Sequence, residues 1–329
     1  MSLFWMGLLL VFAGGAMQGS WTLPQKFLRG WAWEKGWLVY SIAGMILFPW
    51  LLVALMIPEF PAVYAAAGGG VVARTALFGA GWGIGSVLFG LGIARVGMAL
   101  GFAIIISLTA ALGSVVPMAV QNPEQMLSRS GVLLLAGLAV VIVGVIFCAR
   151  AGALKEGPAQ TRDFLRGLAI CIASGIASPM MSFAFAFGQP IADEAARRGA
   201  DPTAATIGMF AVATAAGFLI NAGYCVYLFK RNRSWKSQAP AATNTLLAVV
   251  MGFLWSFGFF LYGLGYTRLG KLGPSLGWVL LMTVMVLVAN VWGLATGEWR
   301  GAPRRARAYL GAGLAVMVVA LAILWGAKA

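Results

Sequence analysis

Ten apolar stretches, each bounded by charge, Pro or Gly, take up almost the whole of this 329-residue chain. They cover approximately residues 2–24, 36–57, 73–94, 97–120, 131–149, 165–189, 203–229, 243–266, 274–296 and 309–327. A hydrocarbon layer of ~30 Å is crossed by about 20 apolar helical residues, and only helices or closed barrels satisfy the backbone there. The pattern therefore predicts an all-α polytopic membrane protein of ten transmembrane helices with short connections and no soluble domain. Only 10% of the residues are charged, against about 25% in soluble proteins. The first stretch opens Met1-Ser2-Leu3-Phe4, without the basic region of a signal peptide, and is expected to stay as a helix.

The chain has no His, and Cys148, Cys171 and Cys225 all lie in apolar runs. These facts argue against His catalysis, a metal site and a disulfide framework, and no Walker loop is present. The expectation is a protein that is not an enzyme, with no catalytic residues, metal or cofactor. A formal charge of +14 would suggest nucleic acid in a soluble domain, but here the cations sit between spans and report topology. Of 23 Lys and Arg, sixteen fall on one side: Lys26, Arg29, Lys35, Arg95, Arg150, Lys155, Arg162, Arg166, Lys230, Arg231, Arg233, Lys236, Arg300, Arg304, Arg305 and Arg307. The other side has seven. Positive-inside logic makes the richer side cytoplasmic and places both termini in the periplasm. Asn232-Arg233-Ser234 then faces the cytoplasm and reads as a chance match to a glycosylation site.

Superimposing the chain on itself at an offset of 173 residues aligns the third span with the eighth. Over positions 78–97 the identical pairs include Gly79 with Gly252, Trp82 with Trp255, Gly85 with Gly258 and Arg95 with Arg268. The same offset pairs Ala43-Gly44 with Ala216-Gly217. The chain therefore divides into halves, residues 1–150 and 151–329, of five spans each. Five is odd, so the second half is inverted relative to the first. Inverted repeats characterise secondary transporters, which hold substrate near the midplane and switch access by rocking one half against the other.

All nine acids lie at span ends or in loops. That argues against a cationic substrate and leaves Glu34, enclosed by Trp31, Trp33 and Trp37, as the candidate proton carrier; the alternative is a structural carboxylate. Among neutral groups, Ser86 and Ser182 either bond back to their own helix or line a site, whereas the amides of Gln18 and Asn221 need partners beyond it. Trp21, Trp82, Trp255 and Trp278 lie well inside spans or near their inner thirds, and the repeat makes Trp82 and Trp255 symmetry mates. Aromatic faces beside amides and hydroxyls suit a sugar; packing is the alternative. The substrate-binding candidates are Gln18, Trp21, Trp82, Ser86, Ser182, Asn221, Trp255 and Trp278, with the sugar stacked between Trp82 and Trp255.

Several strings bear on kinship: Trp31-x-Trp33-Glu34-x-x-Trp37, Pro49-Trp50, Leu77-Phe78-Gly79-Ala80-x-Trp82-Gly83-Ile84-Gly85, Gly97-Met98, Arg150-Ala151-Gly152-x-Leu154-Lys155-Glu156, Met181-Ser182-Phe183-Ala184 and Ile220-Asn221-x-Gly223-x-Cys225. With these the chain resembles the L-rhamnose/proton symporter family of the drug/metabolite transporter superfamily. The resemblance implies that superfamily's fold, with ten helices in two inverted repeats, in a bacterial inner membrane. It also implies uptake of L-rhamnose or a related sugar driven by protons, with sugar, protons and lipid as the only partners. The stretch Leu272–Trp278 departs from the family pattern, which carries an acid and histidines in that region. Export or exchange of another small neutral metabolite such as an amino acid, uncoupled facilitation of a sugar, and a non-transporting membrane role are the alternatives.

Overall fold

The structure, a computed structural model, describes residues 3–121, 127–156, 161–235, 241–269 and 277–326. Every regular element among them is helical: α1 (Leu3–Ser20), a 3₁₀ turn (Leu23–Phe27), α2 (Trp33–Ser41), a π turn (Ile42–Leu47), α3 (Phe48–Met56), α4 (Phe60–Ala67), α5 (Gly69–Val96), α6 (Met98–Gln121), α7 (Arg129–Glu156), α8 (Thr161–Ala177), α9 (Met180–Arg197), α10 (Pro202–Asn232), α11 (Ala241–Arg268), α12 (Trp278–Ala295) and α13 (Arg304–Gly326). Among the described residues seven helical stretches are long and apolar enough to cross a membrane: Leu3–Phe27, Trp33–Met56, Gly69–Val96, Gly131–Lys155, Arg162–Arg197, Ala204–Asn232 and Ala241–Arg268. The chain is an all-α polytopic membrane protein. The departure from the family pattern at 272–276, and Lys236, Lys271 and Lys328 of the charge comparison, lie outside the described residues.

Prolines account for three departures from straight spans. Pro24 follows Thr22 into the 3₁₀ turn that ends the first stretch. Pro179 separates α8 from α9 inside the expected span 165–189, because proline cannot donate to the preceding turn and disfavours helix in the residue before it. Pro49, just inside α3, follows the π turn in the middle of the Trp33–Met56 stretch. The short helix α4 was not foreseen; Pro61 in its first turn and Gly68 after its last residue are ordinary start and stop signals.

Contacts sort the chain into two compact units. The first comprises Met1–Ser20, Leu88–Pro179 and Leu264–Ala329, the second Trp21–Val87 and Met180–Gly263. Each unit draws on both sequence halves. In the first, α7 packs against α13, and α12 against α1 and α6. Gly265 meets Gly7 so closely that a Cβ on Gly265 would lie 2.7 Å from the Gly7 carbonyl. The loop after α12 reaches the start of α6: Glu298 Oε1 accepts from the Met98 amide at 2.8 Å and Oε2 from the Ala99 amide at 3.2 Å. This carboxylate satisfies two of the donors that any helix start leaves free. Glu298→Ala is expected to cost roughly 1–2 kcal/mol, read as a lower unfolding temperature of the detergent-purified protein; an unchanged temperature would remove this role.

In the second unit α10 packs against α2, the π turn, α3 and α9, and α4 packs against α9. Its apolar core joins Val53, Ile57 and Val63 to Ile191, Ala195, Ala204 and Met209. Two helix crossings are close enough to require glycine. A Cβ on Gly83 of α5 would lie 2.6 Å from Gly217 Cα of α10, and one on Gly252 of α11 would lie 2.6 Å from the Gly44 nitrogen. Such backbone proximity is what small residues permit in apolar surroundings.

Among the described residues, five hydroxyls of the apolar stretches bond to their own backbone. Ser20, Ser41, Thr75, Thr109 and Ser178 each donate to the carbonyl four residues earlier at 2.7–2.9 Å. Ser86 and Ser256 do not, and both belong to the site described next.

Candidate functional site

The second unit holds an aromatic cluster that runs through the centres of its long helices. Trp82 lies mid-way along the 28-residue α5 and Trp255 mid-way along the 28-residue α11. Their rings stack with centroids 5.5 Å apart and planes inclined by 25°. Phe210 also stacks on Trp255, at 5.5 Å, and Tyr40 meets Trp255 edge-on at 6.4 Å. Tyr40 in turn stacks on Trp21 at 4.7 Å and contacts Trp37, which stacks on Trp33 at 4.9 Å. Trp21, Trp37, Tyr40 and Trp255 are buried; Trp82 is half-buried.

This geometry corrects one expectation. A sugar sandwiched between two indoles needs two contacts of about 3.5–4 Å each, hence rings about 7–8 Å apart. At 5.5 Å the Trp82 and Trp255 rings touch each other instead, and no pyranose lies between them in this conformation. A sugar would have to part the rings or stack on a face they leave uncovered.

Beside the cluster sits Asn221 of α10, fully buried. Its Oδ1 accepts from Trp37 Nε1 at 2.7 Å and from Ser86 Oγ at 3.4 Å. Its Nδ2 donates to the carbonyls of Gly217 at 2.8 Å and Gly83 at 3.2 Å. A carboxamide offers two donors and two lone pairs, so these four bonds use all of Asn221. The residue ties α2, α5 and α10 together at the Gly83–Gly217 crossing and has no capacity left for a ligand here. Ser86, one turn beyond Trp82, belongs to the same node.

The remaining candidates are dispersed. Ser182 is half-buried on α9. Gln18 is buried in α1, within the other unit. Trp278 opens α12 of that unit, and its side chain lies outside the described residues. Sequence reasoning missed three things: Trp37 as a hydrogen-bond donor, Tyr40 and Phe210 as members of the cluster, and the bond from Ser256 Oγ to the Gly44 carbonyl at 2.5 Å. The spacing of Trp37 and Tyr40, which puts them on one face of α2, was the available signal.

Glu34 stands in the first turn of α2, buried, where the helix dipole favours a carboxylate. Its Oε1 accepts from Nδ2 of Asn232, the last residue of α10, at 3.1 Å and from Ser234 Oγ just beyond that helix. The Asn-x-Ser string thus serves as the donor pair for this acid. Among the described residues no group of three or more potential metal ligands comes together.

The family model described as L-rhamnose-proton symport protein (RhaT) matches residues 2–328. The chain belongs to this family. It is 32% identical to the L-rhamnose-proton symporters of Cronobacter sakazakii and Escherichia coli O1:K1 / APEC, and 30% identical to that of Mannheimia succiniciproducens. Each alignment covers 97% of this chain and 96% of the relative. No solved structure matches it. In this member of the L-rhamnose-proton symport family, the family-like strings around Trp37, Trp82 and Asn221 meet in space around one amide and one aromatic stack.

Proposed function

We propose that this chain imports L-rhamnose or a closely related deoxysugar across the bacterial inner membrane, driven by protons, by alternating access. The near full-length match to the L-rhamnose-proton symport family carries this reading. The protein is a secondary transporter, not an enzyme. Aromatic faces and neutral polar groups at the centres of long apolar helices are the chemistry an uncharged, amphipathic ring asks for.

The same reading includes ten spans in two inverted five-helix repeats, residues 1–150 and 151–329, with both termini periplasmic. Corresponding crossings support the repeat. A Cβ on Gly217 would lie 3.2 Å from the Gly79 carbonyl, and one on Gly44, its mate at the 173-residue offset, would lie 3.4 Å from the carbonyl of Gly252, the mate of Gly79. Trp82 and Trp255, mates under the same offset, stack on each other. Trp21, Trp82, Ser86, Trp255 and Ser182 are the proposed sugar contacts in this unit, with Asn221 holding α5, which carries Trp82 and Ser86, to α2 and α10.

Glu34 is the proposed proton carrier. Moving one proton through ~150 mV supplies roughly 3.5 kcal/mol, enough for accumulation of a few hundredfold. In proteoliposomes, an imposed inward proton gradient is expected to drive L-rhamnose accumulation by the wild-type protein. Glu34→Gln is expected to lose that accumulation while still exchanging labelled for unlabelled sugar at equal concentrations. Gradient-driven accumulation by the variant would remove Glu34 from this role. Exchange of amino acids with silence from every sugar would discard the sugar reading itself.

A further inference from the structure

We propose that the Gly44 carbonyl is an acceptor for a hydroxyl of the transported neutral polyol, and that the Ser256 hydroxyl holds its place in the conformation seen here. The proposal rests on the sugar-transport reading above and names an atom of the site that side-chain reasoning does not reach.

At the end of the π turn Ile42–Leu47 the amides reach back five residues; the Phe48 amide donates to the Ala43 carbonyl, not to that of Gly44. The next donor in that register, for the Gly44 carbonyl, would be residue 49. Residue 49 is proline and has no N–H. A carbonyl left without a donor in an apolar interior costs free energy comparable to a lost hydrogen bond. Ser256 Oγ, buried on α11, supplies the missing bond at 2.5 Å. Proline and serine, 207 positions apart, thus make a pair: one empties the acceptor and the other fills it.

Position gives this acceptor its meaning. Gly44 is at the centre of the 24-residue stretch Trp33–Met56, one turn beyond Tyr40, and Ser256 directly follows Trp255. The filled carbonyl is therefore next to the closed aromatic stack. Its repeat mate behaves differently. The Gly217 carbonyl receives Asn221 Nδ2 from its own helix at 2.8 Å, a bond that no movement between helices breaks. The Gly44 carbonyl is served from a different helix, so parting α11 from the π turn frees it. Interrupted helices in transporters put freed backbone carbonyls at the central site, where they serve as acceptors for the coupling cation, and π turns recur at functional sites; here the acceptor is assigned to a sugar hydroxyl.

Two substitutions act in opposite directions. Pro49→Ala restores a backbone N–H, gives the Gly44 carbonyl a permanent donor on one of its two lone pairs and makes it a poorer acceptor for the ligand. Ser256→Ala removes the placeholder and leaves the carbonyl waiting. With L-rhamnose binding read by thermal stabilisation of purified protein, Pro49→Ala should weaken affinity about 3- to 10-fold without lowering the unfolding temperature of the unliganded protein. Ser256→Ala should lower that temperature yet bind the sugar at least as tightly as wild type. In a panel of monodeoxy analogues, the one lacking the bonded hydroxyl should bind worse than L-rhamnose to wild type but equally to Pro49→Ala. Unchanged affinity in Pro49→Ala overturns the proposal, as does weakening by Ser256→Ala in step with its lost stability. Wild-type protein that no sugar stabilises overturns the transport reading, and this proposal with it.

Discussion

Trp82→Ala is expected to lower L-rhamnose affinity by at least 30-fold at unchanged membrane abundance, and Trp82→Phe to recover most of the loss. Trp82 is half-buried at the centre of α5, with one indole partner, Trp255, that is itself buried and held by Phe210 and Tyr40. Of the two stacked rings it is the one with exposed surface to offer a sugar and the one with room to move. Large aromatic anchors in desolvated sites typically contribute about 2 kcal/mol or more on truncation, which is about 30-fold in affinity. Removing Trp255 would instead open a void among four aromatic neighbours and damage the fold. Trp82→Ala is therefore the cleaner test, and equilibrium binding to purified protein with an unfolding curve alongside is the measurement. Wild-type affinity in a folded Trp82→Ala protein would make the Trp82–Trp255 stack a packing contact and remove it from the site.

The periodicity of this chain makes its architecture legible, because in lipid the backbone has few options. Runs of apolar residues with sparse charge dictate helices, and the long described helices overlap the expected spans, apart from the unforeseen α4 and the breaks at proline. Pro179 breaks the sixth stretch into α8 and α9, and Pro49 accompanies a π turn that hydropathy cannot register, since it averages over composition and ignores which N–H is missing. The site was legible only where chemistry demanded partners. Asn221 could not satisfy its amide within one helix, and it has indeed four bonds, two of them to other helices' side chains. Single hydroxyls could not be sorted: Ser178 bonds back to Ser174 while Ser256 reaches Gly44, and nothing in their neighbours distinguishes them. The offset of 173 residues named Trp82 and Trp255 as mates. It could not give their separation, because contact between mates depends on how far the crossing helices carry them from the symmetry axis.

The amide of Asn221 is where loss of one small group should spread furthest. Asn221→Ala leaves Trp37 Nε1 and Ser86 Oγ without their acceptor and the Gly83 carbonyl without a side-chain donor, all in a buried site. Each buried polar group stranded in this way costs about 1–3 kcal/mol, so a total loss of about 2–4 kcal/mol is expected even if the helices relax. The size of the effect alone would not separate a node from an ordinary core residue. A double-mutant cycle with Trp37→Phe does. That substitution keeps most of the ring stacked on Trp33 but removes the indole donor. If the Trp37–Asn221 bond joins α2 to α10, the second substitution should cost much less when the first is present, with a coupling of about 0.5–3 kcal/mol. The readout is resistance to unfolding by denaturant in detergent for wild type, both single variants and the double variant. Strict additivity would mean that the two residues act independently, and would reduce Asn221 to a packing amide on α10. Coupling, together with sugar affinity lost in both single variants, would place Asn221 as the residue through which the helices bearing Trp37, Trp82 and Ser86 keep their register around the substrate.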